Sequence, residues 1–375
     1  MRHLYLHVPF CPTICPYCDF HALRRTGGAV AAYLDRLEEE ATALFAKHPG
    51  VLETLYVGGG TPSFLRDREL ERLFASLPWR MGEGAEITLE VNPGTVNRRR
   101  LETIKSLGVN RLSIGVQSFD DDTLRFLGRT HDAATARRTV EEALDLVFSV
   151  SLDLILALPN RSFRSDLETA AVLGADHVSA YTLQVEPGTP FALRGVTTDP
   201  DDEATAFALA REILGAAGLR RYEVSNFARP GAESRHNLAY WQMNSWGGLG
   251  PAAAGHFLTD EEKVVSHRMT NPSLPRWLTG EPPESVEIGP LDYAKEALMM
   301  GLRTRKGVDL AALEKRTGLE IRRSLTEGIE ELEATNLVRL AGNRLFPTDA
   351  GLDRLHEVIL KLWEGIETTY SADFS

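Results

Sequence analysis

Cysteine is nearly absent. Three occur in 375 residues, Cys11, Cys15 and Cys18, all within one eight-residue stretch. An odd and crowded set cannot staple a fold together with disulfides; it suits a reducing compartment and a metal site. Long apolar runs are missing too. No stretch of about 18 uninterrupted apolar residues exists, which excludes a membrane-spanning helix. The opening Met1-Arg2-His3 reaches a prolyl-cysteine segment without an apolar h-region. No signal peptide is therefore expected, and the expected location is cytoplasmic. Positive charge is in deficit: 41 Lys and Arg stand against 53 Asp and Glu, a net charge of -12. That balance excludes a broad nucleic-acid-binding surface. Lysine is the scarcest charge, 7 residues beside 34 arginines, which reads as codon composition rather than mechanism. What is present, 43% hydrophobic and 25% charged, excludes a disordered or fibrous chain.

The length predicts two or three domains at roughly 150 residues each, or one large α/β barrel with an addition. A β-rich run followed by a longer helical run recurs six times. The strands are expected at Leu4–Val8, Thr54–Val57, Ile87–Val91, Arg111–Val116, Val150–Leu156 and His177–Leu183. The helices are expected at 30–45, 67–76, 96–107, 133–148, 164–173 and 202–217. In the first helix, Ala31, Leu34, Leu37, Ala41 and Leu44 recur at spacings of three and four, which aligns one apolar face. Six such units predict a parallel α/β sheet with right-handed crossovers, a partial (βα)6 TIM-like barrel over residues 1–222. Functional residues in such folds gather at the C-terminal ends of strands. Residues 223–290 are rich in Gly, Pro, Asn, Trp and His with weak periodicity, and read as an irregular segment over the barrel mouth. Residues 291–375 read as a small helical domain. Leu337–Leu340 and Arg344–Pro347 form a hairpin there around Ala341-Gly342-Asn343, giving a winged-helix-like pattern. Its acidic helix, with Glu327, Glu330, Glu331 and Glu333, points to packing or partner docking rather than DNA.

The chemistry starts at Cys11-Pro-Thr-Ile-Cys15-Pro-Tyr-Cys18, a C-x3-C-x2-C run. Three thiolates on one loop can hold three corners of an iron–sulfur cube and leave the fourth iron open to a ligand. Zinc is the alternative, with His7, Asp19 or His21 as the fourth ligand. An electron-transfer cluster would need a fourth cysteine, and none exists.

C-x3-C-x2-C after the first strand of an α/β barrel resembles the radical S-adenosylmethionine (SAM) enzymes. Five motifs in order narrow the resemblance to the oxygen-independent coproporphyrinogen III oxidase-like group. They are Leu4-Tyr5-Leu6-His7-Val8-Pro9-Phe10-Cys11, Gly58-Gly59-Gly60-Thr61-Pro62-Ser63, Leu89-Glu90-Val91-Asn92-Pro93, Gly115-Val116-Gln117-Ser118-Phe119, and Asp153-Leu154-Ile155 with Leu158-Pro159. Pro347-Thr-Asp-Ala-Gly351 resembles that group's terminal domain. The resemblance implies a [4Fe–4S] cluster on Cys11, Cys15 and Cys18. It also implies SAM contacts from Tyr5, Tyr17, Gly59, Gly60, Thr61, Glu90, Gln117, Arg129 and Asp153. Read without it, Gly58–Gly60 are a tight turn, Arg129 is a surface charge and His7 is a structural hydrogen-bonding group.

The oxidase itself resembles C-x3-C-x2-C-x-C and carries a long N-terminal extension. Here the fourth position is Phe20, and the chain starts ten residues before Cys11. His236-Asn237-Leu238-Ala239-Tyr240-Trp241 instead resembles the H-N-x-x-Y-W motif of the group's haem chaperone branch. Imidazole is a good axial ligand for haem iron, so His236 is the expected haem residue, with His256 or His267 as a second contact. Read as residues alone, His236, Tyr240 and Trp241 pack the segment onto the barrel. The resemblance implies a chaperone that binds haem and delivers it to acceptor haemoproteins such as membrane-bound respiratory cytochromes, with an electron donor as a further partner. The alternative is the coproporphyrinogen III oxidase reaction, which the missing thiol argues against. No catalytic residue is assigned.

Overall fold

The computed structural model describes residues 1–261 and 264–370. Six parallel strands form the centre: β1 (His3–Val8), β2 (Val51–Gly59), β3 (Arg80–Val91), β4 (Arg111–Gln117), β5 (Ser149–Leu156) and β6 (His177–Thr182). Each strand pairs with the next in sequence. The register runs His3↔Thr54, Thr54↔Glu86, Thr88↔Arg111, Ser113↔Ser151 and Ser151↔His177. The crossovers carry α1 (Ala29–Lys47), α2 (Asp67–Ala75), α3 (Arg98–Ser106), the short α4 (Asp121–Phe126), α5 (Ala133–Asp145) and α6 (Arg164–Leu173). Beyond β6 come α7 (Pro190–Leu193) and α8 (Pro200–Ala216).

Strand residues alternate between two faces. One face is apolar: Leu4, Leu6, Leu55, Val57, Leu89, Leu112, Ile114, Val150, Leu152 and Val178 are buried in one core with the helices. Each such side chain contributes about 1.5–3 kcal/mol of burial, and Leu112→Ala would cost about 2–5 kcal/mol. The other face carries Tyr5, His7, Thr54, Tyr56, Glu90, Ser113, Asp153, His177 and Tyr181. Parallel strands buried on both sides are usually apolar throughout. Here alternation persists, so the inside of the half-barrel is polar.

Residues 223–290 are more regular than their sequence suggests. Among the described residues the sheet has twelve strands, in the order β12-β11-β10-β9-β1-β2-β3-β4-β5-β6-β8-β7. At one edge β7 (Arg220–Arg221) and β8 (Asn226–Ala228) run antiparallel beyond β6. At the other, β9 (Trp246–Leu249) lies parallel to β1, with His3↔Trp246 and Leu6↔Leu249. An antiparallel series follows: β10 (Ala254–Leu258), β11 (Ser266–Thr270) and β12 (Glu284–Ile288). The strand β9 was hidden because Trp-Gly-Gly-Leu-Gly has no apolar alternation. Its glycines serve packing: a Cβ on Gly248 would fall on the Ala254 backbone. The helix α9 (Arg235–Trp241), capped by Ser234 accepting from the Asn237 amide, carries the H-N-x-x-Y-W motif. After α10 (Leu274–Leu278), the remaining chain builds a second core around Leu298, Leu302, Leu325, Val358 and Leu362. It contains α11 (Pro290–Gly301), α12 (Leu310–Thr317), α13 (Ile321–Ala334), α14 (Asp349–Asp353) and α15 (Leu355–Tyr370). A three-stranded sheet with the expected hairpin, Val338–Ala341 with Arg344–Pro347, completes the winged-helix-like pattern. No described helix is long and apolar enough to cross a membrane.

Candidate functional site

The cysteine loop follows β1 at the C-terminal end of the strands. It is tied down at both flanks. The Leu23 amide donates to the Pro9 carbonyl at 2.7 Å, and the Phe191 amide of α7 donates to the Pro16 carbonyl at 3.0 Å. Inside the loop the Cys18 amide donates to the Cys15 carbonyl at 3.1 Å. Cys11 is buried beside Thr61, with Sγ 3.3 Å from Oγ1. Cys15 and Cys18 are half-buried, and all three thiols are free. Burial pushes the Cys11 and Cys18 thiols up, and the neighbouring Cys15 thiol adds to the effect on both. Three ionised thiols here would repel one another, and a cationic group between them would remove that penalty. Among the described residues no three His, Cys, Asp or Glu side chains converge on a single-ion point. Of the candidate fourth zinc ligands, Asp19 is exposed and the two histidines are engaged elsewhere. His7 Nε2 contacts the His21 carbonyl at 2.8 Å and Nδ1 the Tyr5 hydroxyl at 2.9 Å. His21 Nε2 accepts from the Leu274 amide at 3.2 Å.

Around the loop the structure brings together the residues expected for SAM. Arg129 is no surface charge. Its Nη2 donates to the Gly115 carbonyl at 2.7 Å and its Nη1 faces Cys15 Sγ at 3.6 Å, while Nε is buried without a partner among the described residues. Tyr17 packs on Phe191, with ring centres 6.1 Å apart. Gln117 ends β4 at φ 67°, in the left-handed region, next to a register shift after Ile114. A strained non-glycine residue at a strand end is a common mark of a ligand site. Glu90 accepts from the Tyr56 hydroxyl and the Gly59 amide, both at 2.9 Å. Burial, with the charge of Asp153 adding to it, pushes the Glu90 carboxyl up to about 7. Asp153 accepts from the Ser113 hydroxyl at 3.0 Å and is pushed up to about 6 by burial.

The glycines have a steric reason within the chain. Gly59 sits at φ 107°, and a Cβ there would stand 2.5 Å from the His7 ring. A Cβ on Gly60 would meet the Val8 carbonyl at 2.9 Å, and one on Gly58 the Glu90 carboxyl at 2.8 Å. The absent side chains let the loops after β1 and β2 touch: the Gly60 amide donates to the Val8 carbonyl and the Thr61 amide to the Phe10 carbonyl. Sequence reasoning missed Tyr56, Ser113 and Tyr181. The signal was available, since Tyr56 and Ser113 stand two residues before motif glycines and so share their face.

His236 lies at the opposite end of the half-barrel. It is 1% exposed. Its Nδ1 contacts Thr54 Oγ1 and its Nε2 contacts the Tyr240 hydroxyl, both at 2.7 Å. The Glu86 carboxylate accepts the Arg235 and His236 amides at 3.1 and 2.9 Å. Thr54 and Glu86 stand level with His3, at the start of β1. The motif therefore closes the N-terminal end of the strands instead of covering the mouth, and neither ring nitrogen is open to iron. His256 is fully buried, with Nδ1 on the Asn244 carbonyl at 3.0 Å and Nε2 unpartnered among the described residues. His267 faces Glu261 at 3.7 Å.

Comparison with known proteins fits this geometry. The radical SAM superfamily model matches residues 5–173, and the HemN C-terminal domain model matches residues 288–354. The heme chaperone HemW of Lactococcus lactis subsp. lactis is 32% identical over 95% of this chain and 96% of its own length. The chain belongs to the HemW family of radical SAM proteins. The HemW of Bacillus subtilis is 32% identical over 94% of this chain and 96% of its own length. The family likeness reaches mouse, where radical S-adenosyl methionine domain-containing protein 1, mitochondrial, is 38% identical over 81% of this chain and 74% of its own. The solved structure of coproporphyrinogen III oxidase (HemN) from Escherichia coli shares the fold, at a TM-score of 0.80 over 96% of this chain and 89% of that one, with 22% identity. Membership of the HemW family implies a [4Fe–4S] cluster and SAM.

Proposed function

We propose that this chain is a haem chaperone: it binds haem and hands it to acceptor haemoproteins, respiratory cytochromes among them, in the cytoplasm. Cys11, Cys15 and Cys18 would hold a [4Fe–4S] cluster, with SAM bound beside it. When bound, the two would supply one-electron chemistry. The chain's own part is to bind and orient. Arg129 sets its guanidinium against the Cys15 sulfur, the Gly59–Gly60 backbone and Thr61 wall the site, and Glu90 and Asp153 offer carboxylates to cationic groups. Tyr5 and Tyr17 close the sides, and Gln117 reaches in from its strained turn. An electron donor would dock from outside the loop.

The observation that carries this reading is end-to-end identity to proteins named heme chaperone HemW, 32% over 95% of the chain. Phe20 adds support, since it stands where the oxidase pattern has its fourth thiol. The test is haem titration into anaerobically reconstituted protein, followed by transfer to an apo-cytochrome, beside a coproporphyrinogen III oxidase assay. Haem binding and transfer without porphyrinogen turnover are expected. Robust decarboxylation would move the chain to the oxidase reaction.

A further inference from the structure

Exposed large hydrophobics are scattered singly over most of the surface, as is ordinary. The cysteine loop is different. Phe20 is 74% exposed, Leu23 39% and Ile14 36%, all within ten residues of sequence and interleaved with the thiols. The short parallel pairing Phe10↔Leu23 and Cys11↔Arg24 sets Leu23 and Arg24 beside the first cysteine. Arg25 continues the surface by lying over the Phe64 ring at 5.8 Å. Phe64 in turn lines a cleft of about 680 Å³ with Pro12, Arg66 and Arg100.

The charges on this face are unequal in use. Arg25 is paired with Glu69, and Arg100 with Asp67. Arg24 and Arg66 are exposed and form no ion pair among the described residues. Two guanidiniums outside any ion pair thus stand beside the apolar crest, on a chain of net charge -12. Guanidinium groups suit carboxylates geometrically as well as electrostatically.

We propose that the outer face of the cysteine loop and its adjoining cleft are the seat of haem, a flat apolar macrocycle with a two-carboxylate edge. Ile14, Phe20 and Leu23 cover one face of the ring, and Arg24 and Arg66 take the propionates. Phe20, in the place of the oxidase thiol, is thereby a haem contact. The seat rests on the chaperone reading above, and the test separates the two.

Haem is titrated into cluster-loaded wild type, Arg24→Glu/Arg66→Glu and Phe20→Ser, following the Soret band, and haem dimethyl ester is titrated in parallel. Cluster content and SAM binding serve as folding controls. The charge reversal should weaken haem by about tenfold or more, since two favourable contacts become two repulsions. It should leave the ester unchanged, and the difference should shrink at high salt. Phe20→Ser should weaken both ligands. Wild type that fails to bind haem at all overturns the chaperone reading and the seat with it. Wild type that binds, with both variants binding equally well, overturns the seat alone. Unchanged haem affinity in Phe20→Ser with a loss of self-association assigns the apolar crest to a second copy of the chain, and likewise overturns it.

Discussion

Toward the C-terminal ends of β1–β5 the half-barrel gathers groups able to meet a ligand: three free thiols, an Arg129 Nε without a partner among the described residues, and two carboxyls pushed up to about 7 and about 6. At the N-terminal ends imidazoles and hydroxyls are paired with one another, although Trp241 Nε1 of the same motif is buried without a partner among the described residues. His3 contacts Thr54 at 3.0 Å, Thr54 contacts His236, and His236 contacts Tyr240. His177 likewise bridges Ser151 at 2.7 Å and the Tyr222 hydroxyl at 2.9 Å. A buried polar group that is fully hydrogen-bonded specifies a structure, and one left open invites a ligand. The difference teaches that the histidine motif and the cysteine motif do different work. The first seals the half-barrel, and the second equips it.

The largest expected effect falls on the open end. Replacing Cys11, Cys15 or Cys18 singly by Ala leaves two thiolates, too few for a three-cornered cube. Iron and sulfide after anaerobic reconstitution should fall to background, with the far-UV circular dichroism unchanged. Full cluster content in any single variant would break the contrast between the ends. Next comes the sealed end. His236→Ala removes two buried hydrogen bonds and strands the Tyr240 hydroxyl, so unfolding in urea should show a loss of about 3 kcal/mol. Cluster content should be kept. In Soret titrations the folded fraction of His236→Ala should give the wild-type haem spectrum. A changed iron-ligation spectrum would return the motif to the haem site.

Much of this was legible beforehand. The six strands and their helices follow from alternation and from spacings of three and four, and the thiols from their own crowding. The mouth residues follow from motif order. What stayed hidden has a common cause. Position in a sequence does not say at which end of a strand a helix will dock. Weak periodicity over residues 223–290 reads as an irregular segment over the mouth, and nothing in it places the H-N-x-x-Y-W helix. Its actual place is set by Glu86 and Thr54, which sit more than 140 residues earlier in the chain. Strand β9 was missed because glycine is used there for close approach, leaving no hydrophobic period to read. Arg129 is named by the family resemblance alone, because nothing local shows a side chain reaching back to residue 15.

A smaller effect tests whether the open end is also built tightly. Gly59→Ala forces a side chain into φ 107° and toward the His7 ring. A cost of about 2 kcal/mol is expected from strain and displacement together. Because His7 also anchors the His21 carbonyl, cluster content should fall with stability. Weakened SAM binding at full stability, read by calorimetry beside urea unfolding, would instead show that the glycine serves the ligand alone.

The smallest effect separates the ends by sign. Glu90 is raised from 4.5 to about 7, so the folded state keeps a proton that the unfolded chain releases between these values. Its contribution is full below pH 4.5 and is lost as pH rises through 7. His236 is lowered from 6.5 to about 3 by burial, so its contribution is present above pH 6.5 and lost as pH falls toward 3. The open end therefore loses stability with rising pH, and the sealed end gains it. Urea unfolding of the cluster-free protein at pH 5 and pH 8 isolates each term by difference. Wild type should lose more than Glu90→Gln over that rise, by on the order of 1 kcal/mol, because water reaches the half-buried mouth and screens the charge. His236→Ala should shift the profile the other way, its deficit being larger at pH 8 than at pH 5. Parallel profiles for wild type and Glu90→Gln would mean that the carboxyl is ionised throughout, and that the mouth is as well solvated as open surface.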